Sequence, residues 1–386
     1  MSTFPGPLNE FPGVSVDCFT EENRESFVFF LSHCHLDHMK GLDEEKDLPG
    51  PLYVSEISAV ILKKKYPYLK DIRTLEIGVE TEIVIEDGRS VCVTTIPAGH
   101  CPGSVMFLFE SVHCRVLYTG DFRLRDKDMK NMRILERIRG KLDNLYIDST
   151  FLSRIYEEFP SRMDSTDAII GLIDEWICKS SNHIIWIRTP AHYGSEYLFK
   201  EINRRTGKSL HIDPGNVSNY IHIPDMDGIF TVHGDQTQIH ACWNPGCYVL
   251  RDQNKEIRTI RPTAMFWTKW KPSCEIVRGT GNIFRVCYSS HSSFRELKDF
   301  IDYLKPQKVE LNVVPAKAED RAEMYGILRE IVLEDKSEVP ENGEKEEVEK
   351  ISFKNINFRT IGLEEKLSEE LDNDFHYIPK RKKLQS

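Results

Sequence analysis

The sequence predicts an α/β protein of two units, the second inserted between two parts of the first. Three observations predict it. At 386 residues the chain suits two domains rather than one. Short apolar strands alternate with turns and helices up to about residue 154, and the chemically distinctive residues fall at strand ends. From about 155 the pattern changes, and near residue 284 the first pattern returns.

The first part, 1–154, carries apolar runs at Phe27–Leu31, Val91–Ile96, Val105–Phe109 and Val116–Tyr118. In the inserted part, 155–284, Ile169, Ile170, Leu172, Ile173, Trp176 and Ile177 form a helical stripe within Arg162–Ser180. His183–Arg188 reads as a buried strand, and Tyr193–Arg205 as a helix stopped near Gly207. The stretch 225–284 reads as loop-rich. In 285–333, a strand at Phe284–Tyr288 leads to a helix at Phe294–Leu304, opened by a capping box of Ser293 and Glu296. Val309–Val314 is a last strand. Residues 334–386 read as an acidic, disordered tail. The stretch 331–378, which overlaps it, holds 14 acids against 6 bases, before the basic run Lys380-Arg381-Lys382-Lys383.

An apolar content of 40% supports a sizeable core, and no apolar run reaches the ~18 residues of a membrane span. Ten unevenly spaced cysteines and a polar, proline-rich start read as a reduced, intracellular protein that engages no membrane. The net charge of −10 argues against nucleic-acid binding through bulk charge. The terminal basic run reads as a nuclear address.

The most informative stretch is His33-Cys34-His35-Leu36-Asp37-His38, directly behind a strand. On extended backbone His33 and His35 face one side, and the following turn returns Asp37 and His38 to the same space. Such nitrogen and carboxylate donors suit Zn²⁺, and two offset groups suit two metals used in hydrolysis. His100, in Ala98-Gly99-His100-Cys101-Pro102-Gly103-Ser104, and Asp121, in Thr119-Gly120-Asp121, stand at glycine turns beside strands. Asp121 can bridge two ions. A separate set of His211, His240, Cys242 and Cys247 has the composition of a closed structural zinc site, with Cys274 a rival for the last position. Ser292 and Ser293 open a helix and could hold a phosphate there.

As a set, HxHxDH, PAGHCPGSVMFLF, LYTGDFRL, Tyr146–Phe151 and Ser290-His291-Ser292-Ser293 resemble the metallo-β-lactamase fold. The resemblance is to its β-CASP DNA nucleases, the Artemis/Apollo family, with Thr237–Cys242 closest to Artemis-like members. It spans roughly 1–330 and implies an αββα sandwich with an inserted α/β β-CASP domain. By this resemblance His33, His35, His100 and Asp121 match a tight zinc site. Asp37, His38 and the shared Asp121 match a weaker second divalent site. Asp17 matches an aspartate that orients a ligand histidine, though by itself it also reads as a helix N-cap. Asp148 and His291 match catalytic groups beside the metals, with Asp37 and Asp121. Val313 stands where RNA-processing members have a metal-binding histidine, so DNA is the implied substrate. Leu36 departs from the lysine of Artemis-like members, and the spacing of Cys242 and Cys247 departs too. The implied activity is zinc-dependent, structure-selective DNA endonuclease action at hairpins, overhangs and single-strand/double-strand junctions. Proteins of end joining are the implied partners. Alternatives are a 5′-exonuclease of the Apollo kind and a small-molecule metallo-hydrolase of the same fold.

Overall fold

The computed structural model describes residues 1–337 other than 43–44, 87, 190–192, 221–222 and 244–245. The expected acidic tail and its basic run lie outside the described residues, except that a helix, Ala318–Ser337, runs into the start of the tail. Residues Met1–Glu338 form one compact unit.

Two sheets pack face to face because their strands alternate in which side chains they bury. In the first sheet Val14–Val16, Val28–Phe30, Leu52–Val54 and Ile72–Thr74 lie side by side, all parallel. The second runs Lys308–Leu311, Asn144–Ile147, Arg115–Tyr118, Val105–Glu110, Arg89–Pro97, Glu80–Glu86. Phe30 of the first sheet meets Val105, Phe107 and Phe109 of the second, and its ring lies 5.2 Å from Phe107. The opposite faces are covered by helices. Met106 and Leu108 point out onto Leu135, Leu297, Phe300 and Leu328, while Phe29 and Leu31 meet Ala59 and Leu62 of the helix Glu56–Lys65. Helix, sheet, sheet, helix is the sandwich that the motifs implied.

A third, seven-stranded sheet lies within 183–287. Its order is Phe230–Thr231, Leu210–His211, Ile239–His240, His183–Ile187, Glu256–Thr263, Ile283–Cys287, Val277–Thr280, parallel but for the last pair. The helices Arg162–Ile177 and Glu196–Thr206 cover one face through Ile169, Ile173, Leu198 and Ile202.

One expectation is corrected. The strand at Ile283–Cys287 pairs with Glu256–Thr263, so it completes the inserted sheet instead of returning to the first. Within the loop-rich stretch 225–284 the structure adds the eight-residue strand Glu256–Thr263. Its arginines and proline obscured the pattern, although Ile257 and Ile260 pack like strand residues. The helix Phe294–Leu304 and its capping box match expectation.

Candidate metal centre

Four histidines converge where strands of both sandwich sheets end. His33 and His35 follow Val28–Phe30, His38 closes a single 3₁₀ turn at Leu36–His38, and His100 stands in the turn between Arg89–Pro97 and Val105–Glu110. His35 Nδ1 lies 3.0 Å from both His33 Nε2 and His100 Nε2. Asp121 Oδ2 is 3.6 Å from His33 Nε2, 3.7 Å from His100 Nε2 and 3.3 Å from His38 Nε2.

The outer hydrogen bonds decide what the inner atoms are. His35 Nε2 donates to Tyr193 O and His100 Nδ1 to Ser290 O, each at 3.1 Å, because a carbonyl can only accept. Ser32 Oγ gives its proton to Asp17 Oδ2 at 2.5 Å, so His33 Nδ1 donates to Ser32 Oγ at 2.9 Å. His38 Nδ1 donates to Asp17 Oδ2 at 2.8 Å. In His33, His35 and His100 the inner nitrogen is left with a lone pair aimed at its neighbours. Burial holds His33, His35 and His100 below the ordinary histidine range, which keeps them neutral. Lone pairs 3.0 Å apart repel unless a cation lies between them, and tetrahedral zinc spaces its nitrogens by about 3.3 Å. Asp121 Oδ1 and His38 Nε2 are buried without a hydrogen-bond partner. The donor set therefore fits one cation at His33, His35, His100 and Asp121, and a second near His38 and Asp121.

Asp17 makes no helix cap. Its carboxylate accepts from Ser32 N at 2.7 Å, from the Tyr118 hydroxyl at 3.0 Å and from His38. It does so from the left-handed region, at φ 54°. Asp37 sits at the rim: its Oδ2 accepts from Ser2 N at 2.8 Å and lies 3.8 Å from His38 Nε2. Asp148 Oδ2 accepts from His291 Nδ1 at 2.9 Å, and its Oδ1 is held by Thr150 N and Oγ1. Burial lowers the His291 pKa, but Asp148 and Asp121 outweigh it and raise it above the ordinary range. Val313 is tied to Ser149, next to Asp148, by its N–H and its carbonyl.

The expected phosphate site at Ser292 and Ser293 is corrected. Ser292 N and Oγ both donate to Phe122 O, at 2.9 and 3.0 Å. Ser293 N donates to Glu296 Oε2, and its hydroxyl accepts from Glu296 N. Both residues are buried, so these groups serve the fold. Sequence reasoning missed Ser32 and Tyr193, whose oxygens fix two tautomers. Ser32, directly before His33, was the available signal.

A second cluster lies in the third sheet. His211 and His240 are register partners on adjacent parallel strands, so their rings stand side by side. Their Nδ1 atoms are 3.0 Å apart, with Cys242 Sγ 3.0 Å from His211 and Cys247 Sγ 3.5 Å from His240. All four donors are buried and within 4.8 Å of one another. Cys274 packs elsewhere, with Trp267 and Trp270. Burial pushes His240 down to about 4, leaving its ring neutral.

Residues 225–317 match the family model described as DNA repair metallo-beta-lactamase. The chain is 37% identical over 347 residues to protein artemis of Mus musculus, covering 82% of this chain and 49% of that protein. It is 31% identical over 287 residues to 5′ exonuclease Apollo of Rattus norvegicus, covering 73% of this chain and 50% of that one. It thus spans about half the length of these curated relatives. The crystal structure of a protein of unknown function from Enterococcus faecalis V583 shares the fold, at TM-score 0.51 and 15% identity over 74% of this chain and 75% of that one. Fold and centre define a metallo-β-lactamase-fold protein carrying a β-CASP insertion. Within that class the chain belongs to the Artemis-like DNA-repair family.

Proposed function

We propose that the chain is a zinc-dependent nuclease hydrolysing DNA phosphodiester bonds, selective for hairpins, overhangs and single-strand/double-strand junctions. One observation carries the reading: three neutral histidine lone pairs and Asp121 converge beside the Asp148–His291 pair. Kinship with Artemis and Apollo supports DNA as substrate. Zinc bound at His33, His35, His100 and Asp121 would supply a Lewis acid and lower the pKa of water beside the phosphate. Asp121 would share its carboxylate with a second divalent ion near His38, with Asp37 at the rim. Asp148 fixes His291 through Nδ1 and favours its protonated form, so Nε2 can give a proton to the leaving oxygen. Val313 offers no donor, which leaves the second ion with few ligands.

His211, His240, Cys242 and Cys247 would hold a structural zinc. Among the described residues no helix is long and apolar enough to cross a membrane. A nuclear location and association with end-joining proteins go with this function.

Labelled hairpin, overhang and 5′-phosphorylated single-strand DNAs should be incubated with the purified protein, beside a chromogenic ester and with metal analysis. Endonucleolytic opening of the hairpin supports the reading. Stepwise loss from the 5′ end alone would assign an Apollo-like exonuclease, and ester hydrolysis without DNA cleavage would replace the nuclease with a small-molecule hydrolase.

A further inference from the structure

Four arginines stand in a row across four neighbouring strands of the third sheet. Arg261 and Arg285 are register partners, as are Arg285 and Arg278. Arg188 follows Ile187, the register partner of Ile260, and so comes beside Arg261. Cross-strand partners project from the same face, so the four guanidinium groups share one side. Strands lie about 4.8 Å apart, and the row spans roughly 14 Å.

Like charges placed opposite one another on a sheet destabilise it. Among the described residues none of the four has a carboxylate partner, and Arg261 Nε is buried with no acceptor. Arg258, on the other face of the same strand, shows how the fold treats a structural arginine. It bonds Glu175 Oε2 at 2.6 Å and Leu172 O at 3.0 Å. The row is instead laid on aromatic rings: Arg188 on Trp186 at 5.5 Å, Arg285 on Phe266 at 4.7 Å, Arg278 on Trp267 at 4.7 Å. Stacking orients a guanidinium while leaving its donor edge free for an anion. Burial, together with Arg188 and Arg285, pulls Arg261 below the ordinary arginine range.

The row leads to the metal centre along two strands. Five residues beyond Arg188 is Tyr193, whose carbonyl holds His35. Six residues beyond Arg285 is His291, so the two lie within about 20 Å. We infer that Arg188, Arg261, Arg285 and Arg278 form a track for the phosphates of one DNA strand running away from the cleavage site, an inference that rests on the nuclease reading. A row of roughly 14 Å is long enough to face two or three successive phosphates of one strand. It also answers the charge problem, since a chain of net charge −10 needs a concentrated local site to hold a polyanion.

The test is anisotropy of a fluorescent, cleavage-resistant phosphorothioate overhang DNA titrated with zinc-loaded full-length protein at several salt concentrations, followed by cleavage kinetics on the unmodified DNA. Arg261→Gln/Arg285→Gln should weaken binding at least tenfold and flatten the salt dependence by about one to two units of slope. The kinetic loss should fall in KM rather than kcat. Its melting temperature should equal or exceed the wild type, because like-charge repulsion is relieved. Arg261→Lys/Arg285→Lys should keep most of the salt slope. Unchanged affinity and slope in the Gln variant, with DNA still cut, would overturn the track and leave the nuclease standing. Loss of binding to an acidic peptide but not to DNA would likewise overturn it in favour of a protein partner. Wild-type protein that neither binds nor cuts DNA would remove both readings together.

Discussion

Asp17 and His38 meet through a 2.8 Å hydrogen bond from His38 Nδ1 to Asp17 Oδ2, both side chains fully buried. That bond turns His38 Nε2 towards Asp121. Burial lowers the pKa of His38, but the charges of Asp121 and Asp17 prevail and raise it well above the ordinary range. Asp17→Asn keeps the shape and tolerates the left-handed backbone. It also weakens the acceptor that orients His38. Activity should fall by about 10- to 100-fold, and the melting temperature should fall as well, because the amide NH2 faces buried donors that the carboxylate accepted. Wild-type kinetics at limiting divalent ion would count against a positioning role.

Asp121→Asn and His35→Ala should each reduce cleavage by about a thousandfold or more while the protein stays folded. Each removes a donor from the convergence of His33, His35, His100 and Asp121. Circular dichroism and a hairpin cleavage assay check this together. Near wild-type turnover in either variant would show the centre to be misassigned.

His240→Ala and Cys242→Ala should remove one equivalent of zinc and lower stability by about 3 kcal/mol or more, because a structural metal contributes directly to folding. The chemistry of whatever protein remains folded should change little. Melting curves with metal analysis read the outcome, and unchanged zinc content in both variants would dispose of the site.

Glu196 is 4% exposed, and burial raises its pKa from 4.5 to about 7. The folded state therefore holds this proton more tightly than the unfolded chain. Its cost to stability is absent below pH 4.5 and complete above about 7, so stability falls as pH rises through that window. Glu196→Gln should stabilise the protein at pH 8 by an amount of order 3 kcal/mol and leave it unchanged at acid pH. Equal melting differences at both pH values would contradict a buried ionisation.

With Val313 supplying no donor, the ion near His38 has few ligands and should bind loosely. Activity should rise with added divalent ion after one zinc is tightly bound, and DNA should be cut well ahead of matched RNA. Full activity with a single zinc would refute the weak second site. RNA cleaved at the DNA rate would refute the substrate assignment.

The local chemistry was legible in the sequence. HxHxDH behind an apolar strand, His100 and Asp121 at glycine turns, and the Ser293–Glu296 capping box depend on neighbours a few residues away. Their geometry follows from strand periodicity and turn conformation. Tertiary structure decided what depends on distant partners. It gave Ser292 and Ser293 to Phe122 and Glu296, chose Cys247 over Cys274, and assigned Ile283–Cys287 to the inserted sheet. It also set each histidine tautomer through Asp17, Ser32, Tyr193 and Ser290, and aligned Arg188, Arg261, Arg285 and Arg278. Sequence periodicity specifies which face a side chain takes. Register between strands far apart in the chain specifies what it meets there, and no local pattern encodes that.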